Sequence, residues 1–280
     1  MPRITIRGVD LNYQIIGNEG PWVTLITGGR RGHDEFIPLA GKIADRGHKV
    51  LLHDRRNTGA SDVLIEGDDS EEDIWIDDLR ELVRHLGIER LFVGGTSSGA
   101  RMTMRYYLRY PETVLGLLLC RVTGGEFAAG RLPENYYGQF IRAAEEGGMA
   151  AVCATEQYQE RIQANPRNGE YLRNLPAEQF IAVMSHWLDI FEQGIHLPVM
   201  GVSEDALRSF DVPTVIIPGN DKVHSSRSAR IAHELIPNSE WHQLPIEDQD
   251  IPLIPFEDWA PYEAEITDVF TGFMARVGVG

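Results

Sequence analysis

The sequence contains few cysteines, few basic residues and no long apolar run. Its two cysteines, Cys120 and Cys153, are too few for a secreted disulfide scaffold and lack the spacing of a metal site. The 26 basic residues stand against 42 acidic ones, and the net charge is −16. This balance argues against nucleic acid and anionic membrane as partners, because both require a basic surface.

The amino-terminal stretch MPRITIRGVDLNY has no apolar signal region. No part of the sequence reaches the run of about 18 apolar residues that a membrane helix requires. We therefore expect a soluble, cytoplasmic protein with reduced thiols. We also expect a small-molecule substrate rather than a nucleic-acid or membrane partner, and a homodimer stays open at this point.

Short apolar runs alternate with segments of helical spacing. Residues 3–7 and 11–16 flank a short turn and predict a β-hairpin. Five further runs are continuously apolar, which is typical of strands covered on both faces: WVTLIT, HKVLLH, RLFVGG, GLLLCRV and PTVIIPG. Helical patterns follow them, among them one that begins at Ser70 and one over residues 257–277. The sequence thus predicts an α/β fold, a mostly parallel doubly wound sheet with an amino-terminal antiparallel hairpin.

This rhythm changes over residues 123–210, where helical patterns and proline breaks occur without a convincing strand. A helical insertion at this point would lie over the carboxyl ends of the strands, where open α/β sheets bind ligands. We expect a core of residues 1–122 and 211–280 and a helical cap or lid of residues 123–210. The alternative is a purely structural helical subdomain.

The segment LFVGGTSSGARMT contains a G-x-S-x-G pattern, Gly95 to Gly99, between an apolar strand and a helix. A strand-to-helix elbow requires small neighbours, because the central serine has a strained backbone and other chain segments approach it closely. The amino terminus of the following helix would favour developing negative charge. The pattern therefore predicts Ser97 as a nucleophile. The alternative is a glycine-rich turn in which Ser98 simply caps the helix.

With this elbow, three further segments resemble the α/β-hydrolase superfamily: residues 27–36, 53–62 and 212–241. The resemblance covers nearly the whole chain. It implies an α/β-hydrolase fold, Ser97 as the nucleophile, an oxyanion hole from the backbone N–H groups of Gly29 and Ser98, and Asp221 as the acid. Thr27 stands where the family usually has a histidine, which concerns the shape of the oxyanion loop. For Asp221, ordinary turn chemistry is the alternative.

The histidine that the family carries after its last strand is missing. No histidine follows His242, and the corresponding loop, residues 244–259, contains three acidic residues instead: Glu247, Asp248 and Asp250. His224 is the first candidate for the base, because it lies three residues after Asp221. His33 in the oxyanion loop and His186 in a helix of the insertion are the next candidates, whereas His242 is expected to be structural.

Three hypotheses follow from the missing histidine, because a serine hydroxyl is a poor nucleophile without a base. In the first, a displaced histidine serves, and the protein is a hydrolase of a small ester, lactone or carbon–carbon bond. In the second, it is a lyase or isomerase in which Glu247 or Asp248, made basic by burial, transfers protons. In the third, it only binds a ligand. None of the three requires a metal or an organic cofactor.

The residues expected around the pocket include arginines and aromatic side chains. Arg30, in the oxyanion loop, and Arg121, after a strand, could recognise a carboxylate on the substrate. Solvated surface arginines are the alternative. His33, His186 and Trp187 are further candidates for contact with the substrate, although aromatic residues at helical spacing often belong to the core.

Overall fold

Eight strands form one sheet in the computed structural model, which describes residues 2–278. The strands are β1 (Arg3–Ile6), β2 (Val9–Ile16), β3 (Trp22–Ile26), β4 (Lys49–His53), β5 (Leu91–Thr96), β6 (Val114–Cys120), β7 (Thr214–Ile217) and β8 (Ser239–Trp241). Their order is β1-β2-β4-β3-β5-β6-β7-β8. β2 pairs antiparallel with β1 and β4, and the other pairs are parallel. The predicted sheet with its amino-terminal hairpin is confirmed.

Eleven α-helices accompany these strands in the described chain. They are α1 (Ile37–Ala44), α2 (Glu71–His85), α3 (Ser98–Arg109), α4 (Glu126–Pro133), α5 (Gln139–Ala154), α6 (Glu156–Ala164), α7 (Pro166–Asn174), α8 (Ala177–Glu192), α9 (Glu204–Arg208), α10 (Ser226–Leu235) and α11 (Glu263–Val277). Shorter 3-10 helices cover His33–Phe36, Pro111–Thr113 and Phe256–Tyr262, and a π-helix covers Glu134–Gly138. No helix in this part of the chain is long and apolar enough to cross a membrane.

Helices cover both faces of the sheet. Side chains of α2, α3 and α10 pack in one apolar cluster, and those of α1 and α11 pack in another. The continuously apolar strands fit between these layers, and every residue of β5 is buried. The sheet therefore presents its strand ends, and not its faces, to ligands.

Two helix starts illustrate how far local sequence determines the elements. Ser70 caps α2 as predicted, because its Oγ accepts a hydrogen bond of 3.0 Å from the backbone N–H of Asp73. The helix predicted from residue 257 begins instead at Glu263, after a 3-10 helix. Pro261 lies in that first part, where it removes a backbone donor.

Between β6 and β7 the chain forms α4 to α9, the π-helix and one isolated bridge of its own, between Val199 and Val202. We call α4 to α8 the inserted helices. Those from α5 to α8 share a separate apolar cluster that includes Phe140, Phe180 and Trp187. The division into core and cap stays a prediction, and residues 1 and 280, at its outer limits, lie outside the described residues.

Candidate active site

Ser97 lies at the turn from β5 to α3 with a left-handed backbone, φ 58° and ψ −122°. The two flanking glycines have no room for a side chain. A Cβ on Gly95 would lie 2.5 Å from the backbone of Gly99, and a Cβ on Gly99 would lie 1.9 Å from the carbonyl oxygen of Ile26. Strain and close packing therefore fix this serine at the carboxyl end of the central strand.

Ser98 does not cap the helix. The cap position belongs to Ser97, whose side chain makes no capping bond, and Ser98 is the first helical residue. The Ser98 hydroxyl donates instead to the carbonyl oxygen of Gly29, at 3.2 Å. The helix-cap alternative is thus wrong, because residue 97 and not residue 98 has the non-helical backbone.

His224 lies beside this serine. Its Nε2 is 2.7 Å from Ser97 Oγ, and its Nδ1 is 2.9 Å and 3.0 Å from the two carboxylate oxygens of Asp221. Asp221 Oδ1 also accepts hydrogen bonds from the backbone N–H groups of Val223 and His224, at 3.0 and 2.8 Å. The carboxylate therefore folds the turn that carries the imidazole, and one loop holds both side chains.

Burial sets the protonation of His224, and hydrogen bonds set that of Asp221. Loss of hydration lowers the pKa of His224 to about 4, although the hydrogen bond to Asp221 opposes this shift. Burial by itself would raise the pKa of Asp221, but the hydrogen bonds from His224 and from the backbone of Ile254 outweigh it and hold that pKa well below its usual value. At neutral pH the site thus contains a neutral imidazole next to a carboxylate, which is the state required of a general base.

The oxyanion loop passes directly over the serine. A Cβ on Gly28 would lie 2.9 Å from Ser97 Cβ, and Gly29 has a left-handed φ of 49°. The carbonyl oxygen of Gly29 accepts from Arg55 Nη2 at 2.8 Å. Where the family has a histidine, Thr27 donates across the loop to the carbonyl oxygen of Arg31, at 3.1 Å. These bonds hold the loop against Ser97.

Both arginines predicted to meet a substrate carboxylate are paired with carboxylates of the chain. Arg30 donates to the two oxygens of Glu71, at 2.8 and 2.5 Å, and its guanidinium lies over the Tyr137 ring. Arg121 donates to Asp221 Oδ2, at 2.9 Å. Their partners are 41 and 100 residues away in sequence. Local sequence could therefore not reveal these pairs.

The other histidine candidates have different partners. His33 is buried, and both its backbone N–H and its Nδ1 contact Asp54 Oδ1, at 2.6 and 2.8 Å. His186 is exposed, with Nε2 2.7 Å from the carbonyl oxygen of Asp68. Its neighbour Trp187 is buried and lines a second cavity, beside Glu72 and Arg101, rather than the one at Ser97. Of these candidates, the structure brings His224 to the serine.

The acidic residues after β8 do not form a buried base. Glu247, Asp248 and Asp250 are exposed, Asp248 accepts from the Ser226 hydroxyl, and Asp250 pairs with Lys222. The hypothesis that burial makes Glu247 or Asp248 basic is wrong, because this loop turns both side chains to solvent.

A cavity of about 540 Å³ opens over Ser97 and His224. The oxyanion loop, the inserted helices α4 and α6, the π-helix and residues 253–257 surround it. Sequence reasoning missed Glu35, which lines this cavity and whose pKa burial raises to about 7. Its position within the oxyanion loop was the available signal. No group of three or more potential metal-ligating side chains occurs among residues 2–278.

Comparison with known proteins agrees with the fold. The family model described as alpha/beta hydrolase fold matches residues 21–245. A proline iminopeptidase of Clostridioides difficile (strain 630) is 30% identical over 117 residues, 40% of each chain. A non-heme chloroperoxidase of Kitasatospora aureofaciens is 26% identical over 86% of this chain and 89% of its own. Among solved structures, the enol-lactonase of Burkholderia xenovorans LB400 superposes over all of both chains, with a TM-score of 0.63 and 18% identity.

Proposed function

Since this chain belongs to the α/β-hydrolase fold family, we propose that it is a serine hydrolase that cleaves a small ester or lactone. The observation that carries this proposal is the line of contacts from Ser97 Oγ through the His224 ring to Asp221. A nucleophile, a base within hydrogen-bond reach and a group that orients the base are what acyl transfer requires. The proposed base is thus His224.

In the proposed reaction, Ser97 Oγ attacks the carbonyl carbon of the substrate while His224 Nε2 takes the hydroxyl proton. The negative charge that forms on the carbonyl oxygen is bound by the backbone N–H groups of Gly29 and Ser98. Asp221 stabilises the resulting imidazolium. The imidazolium then gives its proton to the leaving alkoxide, and an ester of Ser97 remains. A water molecule, deprotonated by His224, attacks this ester. The bond between the acyl carbon and Ser97 Oγ then breaks, the imidazolium returns its proton to Ser97 Oγ, and the acid is released.

The two alternative hypotheses depended on the absence of a base. A base is available, since His224 Nε2 lies 2.7 Å from the Ser97 hydroxyl. The hypothesis of a lyase that uses Glu247 or Asp248 is also disfavoured because both side chains are exposed. A protein that only binds a ligand would need neither this contact nor the strained backbone of Ser97. Hydrolysis therefore explains more features of the site than either alternative does.

The charges around the cavity favour a neutral substrate over a carboxylate. Arg30 and Arg121 are paired with Glu71 and Asp221. The remaining titratable side chains that line the cavity are four acids, Glu35, Glu156, Glu160 and Glu257, and two bases, Arg31 and Arg131. Glu35, with its pKa raised to about 7, is only partly ionised at neutral pH, and the other three acids still outnumber the two bases. A substrate carboxylate would face more negative than positive side chains, and we do not extend the proposal to it.

The inserted helices are proposed to act as the cap of this site, because α4, the π-helix and α6 supply Leu132, Tyr136 and Gln157 to the cavity wall. A wall of this kind partly shields a small organic substrate from water. The cytoplasmic location and a homodimer stay predictions.

Labelling with a fluorophosphonate tests the proposal, because only an activated serine reacts with it. We expect the native protein to be labelled, and Ser97→Ala and His224→Ala to lose the label. His186→Ala is the matched control, because this histidine is exposed, and it should be labelled like the native protein. A native protein that does not react, and that does not hydrolyse p-nitrophenyl acetate, would overturn the proposal.

A further inference from the structure

Arg121 occupies an unusual position directly after β6. It has a left-handed backbone, with φ 53°, although it is not a glycine. Its backbone N–H donates to the carbonyl oxygen of Ile217 at 2.9 Å, and its carbonyl oxygen accepts from the N–H of Ser97 at 3.2 Å. The side chain is buried and lies over the Trp259 ring, 5.1 Å from its centre. This strained residue therefore links the strand that precedes the acid loop to the nucleophile.

One nitrogen of Arg121, Nη2, makes the contacts that matter to the triad. It donates to Asp221 Oδ2, at 2.9 Å, and to the carbonyl oxygen of Ile254. The same nitrogen lies 3.2 Å from His224 Nδ1. A guanidinium Nη carries two hydrogen atoms, and the two oxygens accept both. The contact with His224 is consequently the close approach of a fixed positive charge to the imidazole, while Nδ1–H is left to donate to Asp221.

We propose that Arg121 is a positioning residue of the triad, which orients the Asp221 carboxylate and keeps His224 neutral, and so able to act as a base, in acidic solution. This inference rests on the proposed serine hydrolase. In this inference Arg121 acts on Asp221 and His224 and not through contact with the substrate. Ile254 N–H, which donates to Asp221 Oδ2 at 3.0 Å, holds the same carboxylate from the loop after β8.

The charges that act on the His224 ring come from two elements of the described structure. Asp221, in the same loop, favours the imidazolium, and Arg121, after β6, disfavours it. Glu35, in the 3-10 helix of the oxyanion loop, faces Arg121 from a third element. Burial is the largest cause of the low pKa of His224, and Arg121 adds to burial against Asp221. Removal of the positive charge at residue 121 must therefore raise this pKa.

The test is a titration of His224 by NMR in protein labelled with ¹⁵N-histidine, where the spectrum of His224→Gln assigns the resonance. Arg121→Gln removes the charge, and Arg121→Lys keeps it; neither relieves the left-handed backbone. We expect Arg121→Gln to move the midpoint upward by about one to two pH units and Arg121→Lys to leave it near that of the native protein. With p-nitrophenyl acetate, the acidic limb of kcat/KM should move in the same direction.

An unchanged midpoint in Arg121→Gln, or an equal rise in Arg121→Lys, would overturn the inference. A native midpoint near the ordinary histidine pKa of about 6.5 would overturn it even if neither variant folds. The NMR titration requires no turnover. A protein without esterase activity whose His224 midpoint still depends on residue 121 would therefore contradict the proposed function and leave the role of Arg121 intact.

Discussion

Two loops at the carboxyl edge of the sheet contribute to the site in different ways. The loop after β7, residues 218–225, is short and folds on itself through Asp221, and it carries both the acid and the histidine. The loop after β8, residues 242–255, is longer and exposes its acidic side chains. It reaches the triad through the backbone of Ile254. One loop thus supplies side chains, and the other supplies main-chain support.

The difference indicates that the proposed base is selected by its position in space and not by its place along the chain. Asp221 accepts hydrogen bonds from both the backbone N–H and the ring of His224. A carboxylate that closes a turn in this way brings the residue three positions later to its own side. The histidine at that position contacts Ser97, and if it is the base, no histidine is required in the loop after β8.

The largest effect is expected from the loop after β7, with His224→Gln. This substitution should lower kcat for p-nitrophenyl acetate by at least about 10⁴-fold, because the serine hydroxyl loses its base. His242→Gln, at the start of the other loop and paired with Glu265, is the control and should retain native kcat. Native turnover in His224→Gln would show that the base lies elsewhere.

A slightly smaller loss of kcat, about 10³- to 10⁴-fold, is expected for Asp221→Asn. Both carboxylate oxygens accept backbone N–H groups, from Val223 and His224 on one side and Ile254 on the other. In either orientation the amide NH₂ of Asn would oppose such a donor, and Arg121 would lose its counter-charge.

Because a buried charge is then left unpaired, the free energy of unfolding of Asp221→Asn should also fall, by about 3 kcal/mol. Urea denaturation and steady-state kinetics measure the two effects. If both the urea midpoint of unfolding and kcat of Asp221→Asn remained native, the carboxylate would neither orient the base nor hold the loop.

The smallest effect is expected from the acidic side chains after β8. Glu247→Gln and Asp248→Asn should each leave kcat/KM within about twofold, because exposed side chains are screened by water. The hydrogen bond from Ser226 to Asp248 is exposed as well. A tenfold loss of kcat/KM in either variant would contradict the assignment of this loop to main-chain support. It would indicate that the substituted carboxylate takes part in the reaction.

The fold and the nucleophile were accessible from local patterns. Continuous apolar runs predicted the buried strands, and the glycines around Ser97 predicted the elbow, because a tight strand-to-helix turn admits few other residues. The resemblance to a known family then implied Asp221. His224 was a candidate base because it lies three residues after Asp221. The sequence alone could not exclude His33 and His186 as alternatives.

What surrounds the other candidate residues could not be predicted from the sequence, for a common physical reason. Arg30 and Arg121 line the cavity at Ser97, as a contact with the substrate would require. The sequence did not show that their charges are balanced by Glu71 and Asp221, and recognition of a substrate carboxylate stays a prediction. Trp187 was expected near the substrate, yet it is buried at another cavity. Burial and ion pairing depend on residues far away in sequence, and no local pattern reports them.

The sequence by itself thus determined the sheet, the helical insertion between β6 and β7 and the strained serine at residue 97, since each depends on neighbours a few positions away. Only the tertiary structure decided which histidine reaches that serine and what surrounds it. The ring of His224 meets Ser97 across 127 residues, and Arg121 reaches Ile254 across 133. Such contacts arise because parallel strands end at one edge of the sheet, where loops from distant parts of the chain come together.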